Sequence, residues 1–164
     1  MKKDVLIYFD LITSLKTVDE VNELSQELES LKSVLFKSEK MTFEKAMTTI
    51  RENSAKKIME IFAKNKLDSS NKEDTRDFLE TLKLLIQKFK IIKLILAFDP
   101  AYQTIEKIHD YISENIGIGY ILDIEIDETV LGGSVVIFNG KYKDFTLRKS
   151  LDELFANKSL KYLK

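Results

Sequence analysis

Few residues in this sequence are of a type that does chemistry. The single histidine, His109, stands beside Asp110, and an imidazole next to a carboxylate can serve as a general base or help hold a metal. No other histidine accompanies it, and cysteine is absent. Thiol nucleophiles, disulfides and zinc–thiolate sites are thereby removed, and His109 reads as a solvated residue on a helix face. Asp123, Glu125, Asp127 and Glu128 are carboxylates of the kind hard cations take as ligands. The first three alternate with apolar neighbours, however, as the wet face of a strand does, and their spacing matches no calcium loop. Gly132-Gly133 lacks the Lys and Ser/Thr of a phosphate-binding loop and leads into a strand, so it reads as a chain reversal with positive φ. Ser134 has neither a nearby histidine nor a nucleophile-elbow pattern. The expectation is a chain with no catalytic residues, no cofactor and no metal.

The elements around these residues change period part-way along the chain. Residues 1–90 read as an N-terminal helical bundle. A helix from about Asp19 to Phe36 carries Val21, Leu24, Leu28, Leu31 and Leu35 at spacings of three and four, and Thr17 with Glu20 makes a capping box at its start. A second helix is expected after Thr42, with Phe43, Met47, Ile50, Ile58, Ile61 and Phe62 on one stripe. A third follows Ser70, with Glu73 completing a capping box and Phe78, Leu82, Leu85 and Phe89 facing inward. A shorter helix is expected over Asp4–Ser14. No glycine precedes Gly117 and no proline precedes Pro100, so no residue of those types interrupts these helices.

Residues 91–164 read as a separable C-terminal α/β domain with β-α-β-β-β-α order and a mixed sheet, giving an α+β chain overall. Ile91–Phe98 is an apolar run of strand length. Asp99-Pro100 supplies an N-cap and a first-turn proline for a helix whose Ile105, Ile108, Ile112 and Ile116 form one buried stripe, ended by Gly117. Tyr120–Asp127 alternates as a strand with one wet face. Asn139-Gly140 between Ser134–Phe138 and Lys141–Thr146 is a strong hairpin signal, because a type I′ turn needs positive φ at both positions. Leu147–Phe155 closes the domain as a short helix.

The run from Asp127 through Gly132, Gly133, Asn139, Gly140 and Asp144 to Leu151 resembles the C-terminal signature of the delta subunit of F-type ATP synthases, whose mitochondrial counterpart is the oligomycin-sensitivity-conferring protein. The shared pattern is an acidic residue, an aliphatic pair, Gly-Gly, an alternating strand, a two-residue turn, a return strand ending in Asp, and a basic helix with a late Leu. The likeness covers roughly the last 70 residues. Phe145 stands where the family usually has Gly, and the helical half offers four helices in place of the family's six. The resemblance implies a divergent member with a shortened N-terminal domain. It implies a non-catalytic peripheral-stalk connector of a proton- or sodium-translocating ATP synthase. Its helical half would grip N-terminal segments of the alpha subunits, with Leu24, Leu28, Leu31, Phe78 and Leu82 as groove walls. Its C-terminal half would receive the C-terminal helices of the b subunits.

Composition sets bounds that agree with a connector. Hydrophobic residues make up 44% and charged residues 32% of the 164 residues, which suits a folded chain rather than a disordered one. Lys plus Arg is 26 against 27 for Asp plus Glu, so no net field attracts nucleic acid or an anionic membrane. The opening Met1-Lys2-Lys3 precedes only a short apolar stretch broken by Asp10, a poor signal peptide. Leu84–Phe98 is interrupted by Gln87, Lys88, Lys90 and Lys93 and cannot span a bilayer. The expected place is the cytoplasmic face of a bacterial cell membrane, reached only through the complex. Two rivals are a small-molecule-sensing regulatory α/β protein, with its ligand near Gly132-Gly133, and an RNA-associated α/β protein. The second lacks a basic face or an aromatic-basic strand motif.

Overall fold

The computed structural model of the chain describes residues 2–37 and 40–159. Among them are helices α1 (Lys2–Thr13), α2 (Val18–Lys37), α3 (Phe43–Met47), α4 (Glu52–Asn65) and α5 (Lys72–Ile86), then strand β1 (Lys90–Leu96), helix α6 (Tyr102–Asn115), strands β2 (Tyr120–Ile126), β3 (Ser134–Phe138) and β4 (Lys141–Asp144), and helix α7 (Leu147–Ser159). The fold is α+β: helices first, then a small mixed sheet. The chain divides into two compact units, one made of residues 1–15 and 19–89, the other of residues 16–18 and 90–164.

In the helical unit the apolar rows close on one another. Leu24, Leu28, Leu31 and Leu35 of α2, Ile58, Ile61 and Phe62 of α4, and Phe78, Leu79, Leu82 and Ile86 of α5 form one core with Tyr8 and Leu11 of α1. Phe62 stands at its aromatic centre, 4.5 Å from Phe43 and 4.8 Å from Phe78 between ring centroids. Ion pairs cross its outer seams: Lys32–Glu80 and Lys83–Glu29 join α2 to α5, and Lys64–Asp10 joins α4 to α1. Such exposed pairs contribute little each and mainly fix the mutual rotation of the helices.

The helix expected after Thr42 is two helices, so this unit has five among the described residues rather than four. The chain breaks at Thr48–Arg51 without glycine or proline. Thr48 and Thr49 donate their hydroxyls to the carbonyls of Lys45 and Ala46, which favours a turn over continuation. Glu27 of α2 then accepts the Arg51 backbone N–H, where α4 has no side-chain cap of its own. The cap of α5 is likewise not Ser70 but Asn71, whose side-chain oxygen accepts the N–H groups of Glu73 and Asp74.

In the second unit the sheet order is β2-β1-β3-β4. β1 and β2 are parallel, as a crossover through α6 requires, and the β1/β3 and β3/β4 pairs are antiparallel. Thr17 adds an isolated parallel bridge to Leu122, whose N–H donates to the Lys16 carbonyl at 2.8 Å. The short connector between α1 and α2 therefore extends this sheet beside β2. Lys16 is tied further into the unit by Glu106 at 2.9 Å and the Tyr102 hydroxyl at 3.1 Å, both on α6. Burial works to lower the Lys16 pKa, but its hydrogen bonds to Glu106 and Tyr102 outweigh it and hold the ammonium above its ordinary value.

Asp99 and Pro100 precede α6 rather than opening it. The N-cap position is Ala101, without a side-chain cap, and Pro100 is buried. On α6, Ile112 is buried, Ile105 and Ile108 are partly buried, and Ile116 is half exposed, so the expected stripe fades toward its C-terminal end.

Candidate functional site

The residues that carry the Gly-Gly signature meet at one end of the sheet, where β1 and β2 finish and β3 begins. Asp127 Oδ1 accepts the Thr129 backbone N–H at 2.9 Å and its hydroxyl at 2.6 Å, closing the turn after β2. Asp144 Oδ1 accepts the Thr146 N–H at 2.8 Å, closing the turn after β4. The two Thr129 bonds, hydroxyl first, hold the Asp127 carboxyl below its ordinary range, and Thr146 does the same for Asp144. Between these turns the chain approaches itself closely. Gly133, at φ 77°, lies so near the Phe145 carbonyl that a Cβ there would sit 2.3 Å from its oxygen. Gly132 accepts the Leu147 N–H, and Ser134 accepts that of Phe145. The space where a Cβ of Gly133 would stand is filled by the protein's own backbone. At the opposite end Asn139 and Gly140, with φ of 49° and 71°, make the hairpin turn.

The carboxylates do not gather. Glu125 pairs with Lys93 across the parallel β1/β2 ladder, Asp127 is engaged in its turn, and no three His, Asp or Glu side chains converge on a metal-sized site among the described residues. His109 is not solvated. It is 6% exposed, and its Nε2 lies 3.2 Å from the Tyr120 carbonyl oxygen, to which it donates. The sequence held a signal for this, because His109 falls on the same helical row as Ile105, Ile112 and Ile116. Its role is to join α6 to the start of β2.

The residues read as walls of a groove for the alpha subunits are all interior. Leu24, Leu28, Leu31, Phe78 and Leu82 range from 0% to 4% exposed within the core of the helical unit. A partner helix meeting this unit must contact other residues; Phe9, Met59 and Leu84 are its large exposed apolar side chains among the described residues.

Open apolar surface is concentrated in the second unit. A groove of about 390 Å³ lies between α6 and the sheet, lined by the buried Ile92 and Leu94 of β1 and Ile112 of α6, with Val136 and Phe138 of β3. Lys141 and Lys143 of β4 border it. Helix α7 is the second open surface. Every residue from Leu147 to Ala156 is exposed, although Leu147, Leu151, Leu154 and Phe155 form a row at i, i+4, i+7 and i+8 that a core-facing helix would bury. Sequence reasoning placed α7 but did not foresee the exposure of this row, because periodicity reports a face and not its surroundings.

No protein-family model matches the chain, and no curated protein does. No helix among the described residues is long and apolar enough to cross a membrane.

Proposed function

We propose that the chain is a non-catalytic connector of the delta type in an F-type ATP synthase. In this reading the helical unit contacts N-terminal segments of the alpha subunits, and the second unit receives the C-terminal helices of the b subunits at the cytoplasmic face of the membrane. The supporting observation is the second unit's pair of open apolar surfaces, the groove beside α6 and the row on α7, next to a Gly-Gly turn that resembles the family signature. Helix-in-groove recognition uses an apolar row at i, i+3, i+4 and i+7, and a groove bordered by Lys141 and Lys143 suits a helix with acidic flanks. On this reading the protein hydrolyses no ATP and acts through surfaces that transmit force between partners.

Affinity capture of the tagged chain from its own cells, in a detergent that keeps membrane complexes intact, tests the reading. Stoichiometric recovery of the alpha and b subunits is expected. Capture that recovers neither of them overturns it.

A further inference from the structure

The connector of residues 16–18 belongs to the second unit, although the chain on both sides of it, residues 1–15 and 19–89, belongs to the helical unit. Each end of it is anchored. On one side α1 finishes in a tight turn, where the N–H groups of Ser14 and Leu15 donate to the carbonyls of Leu11 and Ile12 at 3.2 and 3.3 Å. Leu15 itself is buried in the helical core. On the other side α2 begins at Val18, and Val21 and Leu24 of its first turns pack into the same core. The three connector residues between these anchors reach no more than about 10 Å when fully extended. None of them is glycine or proline. The connector has little slack.

Its hold on the second unit is equally specific. β2 lies at one edge of the sheet, and the connector satisfies the outward N–H of Leu122 there: the Lys16 carbonyl accepts it at 2.8 Å, and Thr17 bridges to the same residue. The Lys16 side chain is 14% exposed, pairs with Glu106 at 2.9 Å and lies 5.1 Å from the centre of the Tyr102 ring. Thr17 immediately precedes α2, where a helix cap has extended backbone, so one residue serves both the helix start and the sheet. We propose that residues 16–18 act as a taut strap that couples the opening of α1 to the opening of the β2 edge. Loosening α1 frees Leu122, and unseating Lys16 frays the end of α1. Such coupling is reciprocal by thermodynamic necessity. It follows from the connector alone and holds whatever partners the chain has.

Amide hydrogen exchange on the full chain, read residue by residue by NMR, tests the strap in both directions. Lys16→Met keeps the aliphatic stem and removes the ammonium that Glu106 and Tyr102 hold. It should speed exchange at Leu122 in the second unit and, about fivefold or more, at Ser14 and Leu15 in the helical unit. Leu11→Ala opens a cavity in the helical core and should speed exchange at Leu122 by a similar factor. In a third chain Gly-Ser-Gly-Ser is inserted between Leu15 and Lys16 to supply slack. There each substitution should act only within its own unit. An effect of Lys16→Met confined to the second unit overturns the proposal. So does a Leu122 amide indifferent to Leu11→Ala, even where the helical unit unfolds. Cross-unit effects that persist in the chain with slack overturn it too, because the connector then does not carry them.

Discussion

The two units treat the same kind of helix in opposite ways. In the helical unit, α2 and α5 are amphipathic helices whose apolar rows are consumed by a shared core: Leu31 and Leu82 are fully buried and the ion pairs lie outside. In the second unit, α7 has a comparable row that stays largely exposed, Leu151 least so at 39%, and the buried cluster beside α6 comprises Ile92, Leu94, Ile112 and Leu122. The same periodicity is core in one place and exposed surface in the other. What separates them is whether the neighbouring elements can reach the row. α5 is joined to α4 by a loop that lets it fold back, whereas α7 starts directly from a turn pinned to Gly132 and Gly133. An apolar helical row therefore states a need for burial, and topology decides whether the chain meets that need by itself.

Substitutions can break this contrast. The largest effect is expected in the helical core: Leu31→Ala or Leu82→Ala should cost about 2–5 kcal/mol of stability in urea unfolding, since each leaves a cavity among packed neighbours. Next comes Gly133→Ala, which combines a positive φ with a clash on the Phe145 carbonyl and should destabilise the second unit by about 1–3 kcal/mol. Hydrogen exchange should show the amides of β1 and β3 less protected while those of α2 and α5 hold. At the small end, Leu154→Ala on α7 should change monomer stability by no more than about 0.5 kcal/mol. A loss approaching that of Leu31→Ala would show that α7 is covered within the chain, and the contrast would disappear.

Acid sharpens the same comparison. Asp127 and Asp144 have folded pKa values below the ordinary carboxylate value because Thr129 and Thr146 donate to them. Their contribution is fully present above that ordinary value and is lost as pH falls through the lower folded values. Acid should therefore loosen the signature turns over that window. Replacing both with Asn should lower stability at neutral pH and flatten the decline of the second unit on acidification. A wild-type profile with no such decline would count against structural roles for these turns.

Much of the architecture is legible in the sequence, and the misses have identifiable causes. Leu24 through Leu35 at spacings of three and four mark α2, and Asn139-Gly140 marks the hairpin, because in each case the decisive interactions are local. The break at Thr48–Arg51 is partly non-local: Glu27, distant in sequence on α2, accepts the N–H of Arg51 at the start of α4. Lys16–Val18 is too short to read as a strand, and it makes only an isolated bridge, from Thr17 to Leu122. Its place in the second unit means that a cut before Lys90 does not yield that unit whole. His109 sits among isoleucines on α6, and its burial depends on the Tyr120 carbonyl arriving from β2. The groove walls expected at Leu24, Leu28, Leu31, Phe78 and Leu82 failed for a different reason: a stripe by itself does not distinguish core from contact surface. The open groove beside α6 was not foreseen at all, since it depends on how far α6 extends across the sheet.

The central claim is that each unit holds a different partner, and cross-linking within the captured complex tests it most directly. Lysine-reactive reagents applied to that complex, followed by mass spectrometry, should join the N-terminal segments of the alpha subunits to the helical unit at positions such as Lys57, Lys64 or Lys83. They should join the C-terminal segments of the b subunits to the second unit at Lys141, Lys143 or Lys149. Cross-links from alpha and b that fall on one unit alone, or on each other's expected unit, would contradict the account.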